Sequence, residues 1–266
     1  MTKGLPAISS PMFDIAALAA LAWVAAATLH EGAGHGLACL AVGGEPLRWS
    51  TFHFGCGQGD ESVWDRRIVA SAGSLVNLVL SAIGWAWWRA SRSTWARLAA
   101  WIVLVLNGLT AFGYLVFSAA FDIGDWNRAG VLLGIVDVRL TRGVLAIVGV
   151  AGYAAVVRGA ARLLSRTGAG DGATLATRRV TMTVWATTGL VSLLAALMSG
   201  SDWHSTAGAA FGVALGGNAG LLTIARFSAP TLAFPPNQRW GVRMSAVAAV
   251  TVFVVVLGPG IALRQG

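Results

Sequence analysis

The sequence predicts an all-α polytopic membrane protein, and three observations carry that expectation. Of 266 residues, 56% are hydrophobic and only 11% charged, against roughly 25% charged residues in an ordinary soluble domain. The mean hydropathy is +0.70. Apolar stretches recur near 12–42, 68–88, 98–120, 143–163, 180–200, 205–226 and 243–263, each close to the roughly 20 residues that a helix needs to cross a bilayer. Six or seven transmembrane helices are therefore expected, in a single transmembrane domain over 1–266 with no internal repeat. Such a chain is expected to be a multi-pass integral protein of a prokaryotic-type cell membrane, with the lipid bilayer as its first partner.

The first stretch carries His30, Glu31 and His35 and has no charged leader beyond Lys3. Ala25-Ala26-Ala27 is therefore a poor cleavage site, and the segment is expected to stay in the mature protein. Between 43 and 67 the chain is polar, Gly-rich and aromatic, and Thr51-Phe52-His53-Phe54 alternates weakly, which suggests a short surface β-hairpin. Residues 164–179 read as a hydrophilic linker. Gly208, Gly212, Gly216 and Gly220 form a ladder of small residues at four-residue spacing, the pattern of a helix pressed against a partner helix. The tryptophans near span ends, Trp85, Trp87, Trp88 and Trp95 among them, suit an interfacial belt. Cys39 and Cys56 form neither a disulfide framework nor a metal knuckle, so they reveal no redox compartment.

Net charge is +8. In a soluble domain this would suggest nucleic acid, but the basic residues sit at the ends of apolar segments, where membrane topology accounts for them, and no nucleic-acid partner is expected. With seven spans, the side of the N-terminus collects Lys3, Arg89, Arg92, Arg97, Arg158, Arg162, Arg166, Arg178, Arg179, Arg226, Arg239 and Arg243. The other side collects Arg48, Arg66, Arg67, Arg128, Arg139, Arg142 and Arg264. Twelve against seven places the N-terminus in the cytoplasm and the 43–67 segment outside.

Few residues are available for chemistry. Asp14, at the start of the first span, and Glu45, Asp60, Glu61, Asp65, Asp137 and Asp171, in loops, are read mostly as solvated. His30, Glu31, His35, His53, Asp122, Asp125, Asp202 and His204 remain. The strongest cluster is His30-Glu31-Gly32-Ala33-Gly34-His35, because ionisable groups inside an apolar helix are expensive and point to function. Zinc hydrolases place two His ligands at i and i+4 with a Glu directly after the first, so that both imidazoles share a face and the Glu acts as base on a water. Here the spacing is i and i+5, which puts the imidazoles roughly 140° apart on a regular α-helix. A one-residue π-bulge would restore a common face, and Gly32 and Gly34 permit it at little steric cost. Glu31 and His35, at i and i+4, are an alternative ligand pair on a regular helix, with His30 behind them. A buried polar network that only holds helices together is the plain alternative to any metal.

Two further features complete the set. Ala72-Gly73-Ser74-Leu75-Val76-Asn77 opens the second span, where Asn77 alone would be read as an interhelical hydrogen bond. Phe121-Asp122-Ile123-Gly124-Asp125-Trp126 follows the third span. The first helix ends on the side where the third ends, so Asp122 or Asp125 can meet the His30–His35 turn and supply a third ligand with one position left open. His204 lies on the face of the glycine ladder and is an alternative ligand, although a hydrogen-bonded His at a helix end is the simpler reading. His53 reads as a surface histidine.

In that order the three features resemble the site-2 protease family of intramembrane zinc metalloproteases. That family shows a His-Glu-x-x-His helix, a surface β-hairpin, a Gly-Pro-x-x-Asn motif opening the next helix, and a later Asp-Gly motif. The likeness covers a core of about 12–128, with additional helices over about 140–263. It departs by one extra residue between the histidines, by Ser74 in place of Pro, and by Trp126 after Asp125 in place of Gly. The resemblance implies one zinc per chain held by His30, His35 and Asp125, with Asp122 or His204 as alternatives for the third ligand. It also implies Glu31 as catalytic base and Asn77 as a residue that helps hold the substrate or oxyanion. The expected activity is hydrolysis of a peptide bond in or next to a membrane segment of a protein or peptide substrate. The rival expectations are a non-catalytic membrane scaffold or subunit of a larger complex that keeps the fold, and a metal-dependent membrane enzyme with a non-peptide substrate.

Overall fold

The computed structural model describes residues 10–57, 62–167, 173–199, 207–208, 210–235 and 239–264. The first span runs Pro11–Ala41 and has three parts: α1 (Ser10–Leu29), a wider π-helical stretch (His30–Gly36), and α2 (Leu37–Ala41). Strands β1 (Glu45–Trp49) and β2 (Phe54–Gly57) follow as an antiparallel hairpin. The hairpin was expected, but Thr51, Phe52 and His53 form its connection rather than a strand. The Ser50 N–H donates to the His53 carbonyl and closes the turn.

Helices α3 (Val63–Ala90), α4 (Thr94–Phe121) and α5 (Val138–Ser165) come next. Each has a cap that its sequence supplies. Ser62 and Asp65 make a reciprocal capping box, Ser93 accepts from the Ala96 N–H, and Asp137 accepts from the Leu140 N–H, satisfying amides that the first turn leaves free. α4 is the spine of the bundle. Leu98, Trp101, Ile102, Val105, Leu106 and Leu109 are fully buried, whereas α3 and α5 leave Leu75, Val79, Ile147 and Val150 exposed, as surfaces turned to lipid do.

After α5 come β3 (Ala173–Ala176) and α6 (Thr177–Leu197), so the expected linker is partly strand. The seventh apolar stretch is a short broken passage: a π-helical stretch (Ala210–Gly217), a turn, and α7 (Leu221–Ile224). β4 (Thr231–Phe234) leads to α8 (Trp240–Val252), a second widened stretch (Phe253–Leu257), and β5 (Ile261–Ala262).

Among the described residues, six helices are long and apolar enough to cross a membrane. The strand pairings show that the chain passes through the bundle a seventh time. β5 pairs with β1, so an even number of passages separates them, yet only five long helices lie between. β3 pairs with β4, and these strands bracket α6 and the broken segment, which therefore run out and back. The broken segment is the missing passage.

Several sequence expectations change. Cys39 and Cys56 are joined in a disulfide, because the hairpin folds back over the end of the first span and sequence spacing does not register that approach. Asp14 is fully buried rather than solvated, and its carboxylate meets the Arg243 guanidinium of α8 at 2.6 Å. Trp85 and Trp87 are exposed as a belt requires, but Trp88 and Trp95 are buried, with the Trp88 indole N–H donating to Thr167. The glycine ladder splits. A side chain on Gly216 would meet Phe117, and one on Gly220 would meet Leu109, Tyr153 and Val157 of this same chain, whereas Gly208 and Gly212 face open space.

Removing one partner of a buried ion pair typically costs about 3–5 kcal/mol. Asp14→Ala should therefore lower the thermal midpoint of the detergent-solubilised chain clearly. An unchanged midpoint would show that Asp14 and Arg243 do not fasten α1 to α8.

Candidate metal centre

The site begins with a change of helical pitch. Over His30–Gly36 the backbone widens to the i→i+5 pattern, and the five-residue step from His30 to His35 becomes one turn. Both imidazoles then point the same way, and their Nε2 atoms lie 3.3 Å apart. Gly34 allows α3 to come this close: a Cβ there would sit 2.6 Å from the Cα of Gly73. The hairpin braces the turn from the other side, with the Trp49 ring against Gly32 and the Phe54 ring against Gly36.

The ring nitrogens are set by hydrogen bonds that admit one arrangement. The Asn107 amide donates to the Val103 carbonyl at 2.8 Å, and a carbonyl can only accept. This fixes the Asn107 Oδ1 as the acceptor for Asn77, at 2.8 Å, and so turns the Asn77 Oδ1 to His30 Nδ1, at 2.6 Å. His30 Nδ1 must therefore carry the proton. His35 Nδ1 donates to the Val69 carbonyl at 2.7 Å. In its neutral form each imidazole then presents the lone pair of its Nε2 to one shared point.

Asp125 arrives at that point from the end of α4. Asp122, with φ at 59°, ends the helix in the left-handed region, and Gly124 follows at 76°, so the chain doubles back. The Ser118 hydroxyl donates to the Ile123 carbonyl and accepts from the Trp126 N–H, which ties the returning loop down. The Asp125 carboxylate stands 3.4 Å from His30 Nε2 and 3.6 Å from His35 Nε2. Asp122 is directed elsewhere: its carboxylate binds Arg128, whose hydrogen bonds pull the Asp122 pKa down. Asp125, not Asp122, is the carboxylate at the histidines. His204 and Asp202 lie outside the described residues.

The donor set, two imidazoles and a carboxylate, is of the kind that zinc accepts at ligand distances of about 2.0–2.2 Å: the two Nε2 atoms lie 3.3 Å apart, and the two oxygens of Asp125 face them at 3.4 and 3.6 Å. Glu31 is buried beside the histidines, and His30, Glu31 and His35 can offer atoms within 4.8 Å of one another. A cavity of about 900 Å³ opens in front of Glu31, His35 and Asp125, walled by Phe52, Phe54 and Phe117 and reached by Gly208 and Gly212. His53 is exposed at its rim.

The Asn77 amide is hydrogen-bonded at both ends, toward His30 and Asn107, and is almost wholly buried behind the His30 ring. Sequence reading also missed residues that shape the centre. Tyr114 stacks on the His30 ring at 5.2 Å. Its signal was a tyrosine, one of two in the chain, well inside an apolar run. Asn107 carried a similar signal, a lone amide in mid-span. Ser74 donates to the Asp125 carboxylate at 3.3 Å and accepts from the Trp126 indole N–H at 3.1 Å. Ser74 and Trp126 thus hydrogen-bond each other and steady Asp125.

Compared with models of protein families, with curated proteins and with solved structures, the chain matches none.

Two substitutions test the centre. A Cβ on Gly73 would stand 2.6 Å from the His30 ring and 2.7 Å from His35 Nε2, so Gly73→Ala should abolish stoichiometric metal binding while the chain still folds. Ser74→Ala, which loosens Asp125, should weaken zinc affinity by about 10–100-fold, read by competition with a chromogenic chelator. Wild-type affinity in both variants would dismiss the assignment.

Proposed function

We propose that this chain is a membrane-embedded zinc hydrolase that cleaves a peptide bond in or beside a membrane segment. The observation that carries the reading is the convergence of His30 Nε2, His35 Nε2 and the Asp125 carboxylate within 3.3–3.6 Å of one another, with Glu31 beside them and a large cavity in front. Zinc, when bound, supplies a water of pKa near 7 and polarises a carbonyl. The rest falls to the chain. Glu31 holds the proton taken from that water and returns it to the leaving amine, a role suited to a carboxylate within reach of the reacting atoms. Asn77, Asn107 and the Val69 carbonyl keep the ligands turned to the ion, as hydrogen-bonded partners do in metal sites generally. Tyr114, Phe52, Phe54 and Phe117 line the approach to it.

Two features favour a peptide substrate over a smaller one. The cavity volume of about 900 Å³ admits several side chains. One of its walls is β2, an edge strand: the sheet order is β2-β1-β5, so among the described residues β2 has no strand on its outer side. A span presented here has to be unwound locally, because a helix hides its carbonyls in its own hydrogen bonds.

The purified wild-type chain should carry about one zinc, the stoichiometry of a single mononuclear centre, by elemental mass spectrometry. Glu31→Gln should keep that zinc and lose about 10²–10⁴-fold in kcat on a membrane peptide reconstituted with it in liposomes. A metal-free, well-folded wild type would make the cluster a structural network and the chain a scaffold. Full turnover by Glu31→Gln would remove Glu31 from the reaction.

A further inference from the structure

The metal centre, the hairpin and the C-terminal strand all lie at one end of the bundle, and two independent observations bear on which compartment that end faces. The first is covalent. Cys39, fully buried at the end of the first span, is bonded to Cys56 of β2, which lines the cavity. Gly44 packs against both sulfurs, where a side chain would come within 2.6 Å of one and 2.9 Å of the other, so the bridge is built into the frame around the site. The chain contains no other cysteine. Such a bridge persists in an oxidising compartment and is kept reduced in an ordinary cytosol.

The second observation is charge. Because the chain passes through the bundle seven times, the ends of the passages can be sorted by side. Arg89, Arg97, Arg162, Arg178, Arg226 and Arg243 mark the end opposite the centre. With the other arginines of that side they make eleven basic residues among the described ones, against seven at the end that holds the centre. The more basic end faces the cytoplasm. The disulfide does not depend on that count, and the two agree.

We propose that the cavity before His30, His35 and Asp125 opens to the oxidising, non-cytoplasmic side of the membrane. Its substrate class is then a polypeptide presented from that side, at the outer boundary of a membrane span or just beyond it. The substrate part of this inference rests on the hydrolase reading; the orientation does not. A bond exposed only to the cytoplasm is out of reach, since the fully buried midsection of α4 lies between that end and the centre.

Thiol chemistry in intact bacterial cells tests the orientation without any use of activity or metal. With thiols alkylated at lysis, the wild-type chain should show no free cysteine before reduction and two afterwards. Two free cysteines before reduction would overturn the covalent argument. Val136→Cys, in the fully exposed turn before α5, should react with a membrane-impermeant maleimide in intact cells. Ser93→Cys, between α3 and α4, should react only after lysis, with the labelled peptide identified by mass spectrometry. Ala129→Cys and Ser91→Cys provide a second position on each side should one variant fail to accumulate. Labelling at 93 or 91 with protection at 136 or 129 would reverse the orientation and overturn the proposal, whatever the zinc content and the Glu31→Gln result say about hydrolysis.

Discussion

A pitch change of one turn governs this molecule. On a regular α-helix His30 and His35 would look in directions roughly 140° apart, and the widened turn over His30–Gly36 brings them to one point. Everything around the centre accommodates that turn. The widened backbone is bulky, so α3 can approach it only where Gly34 meets Gly73. The approach in turn brings the Val69 carbonyl, Ser74 and Asn77 of α3 within reach of the two histidines and Asp125. Trp49 and Phe54 of the hairpin fill the space left over Gly32 and Gly36.

Polar groups in an apolar bundle have to be satisfied from within, because neither lipid nor a packed core supplies partners. Here they form a directed chain. It starts at the Val103 carbonyl, passes through Asn107 and Asn77, and ends at His30 Nδ1. Each link has one allowed orientation, so a carbonyl inside α4 determines which nitrogen of His30 faces the site. A second chain runs from the Trp126 indole through Ser74 to Asp125. The first sets the orientation of a side chain on the first span. The second secures a side chain on a loop, where thermal motion would otherwise be greatest.

The molecule's two ends are built differently. At the end away from the site, α1 and α8 are fastened by the buried Asp14–Arg243 pair, and β3 and β4 clamp the start of α6 to the end of the broken passage. At the site end, β5 returns to β1, and the Cys39–Cys56 bridge ties the hairpin to the first span. The broken passage between them keeps two glycines, Gly208 and Gly212, open to the cavity and packs two others, Gly216 and Gly220, into the bundle. One small-residue pattern serves access at one end and close packing at the other.

Composition and apolar periodicity pointed to a mostly helical, multi-pass molecule, because a helix that crosses lipid needs a long uncharged run. They also located the hairpin and the His30–His35 cluster, since ionisable groups are conspicuous against an apolar background. The glycines between the histidines even indicated the widened turn. What linear spacing could not decide is which distant groups converge. Asp125 rather than Asp122 reaches the histidines because a left-handed residue reverses the chain at the end of α4. Asn77 lies behind His30 because Asn107 occupies its other side, and Cys39 finds Cys56 because the hairpin folds back over the first span. Hydrogen-bond direction and close approach are properties of pairs brought together in space, so they exist only once the helices have packed.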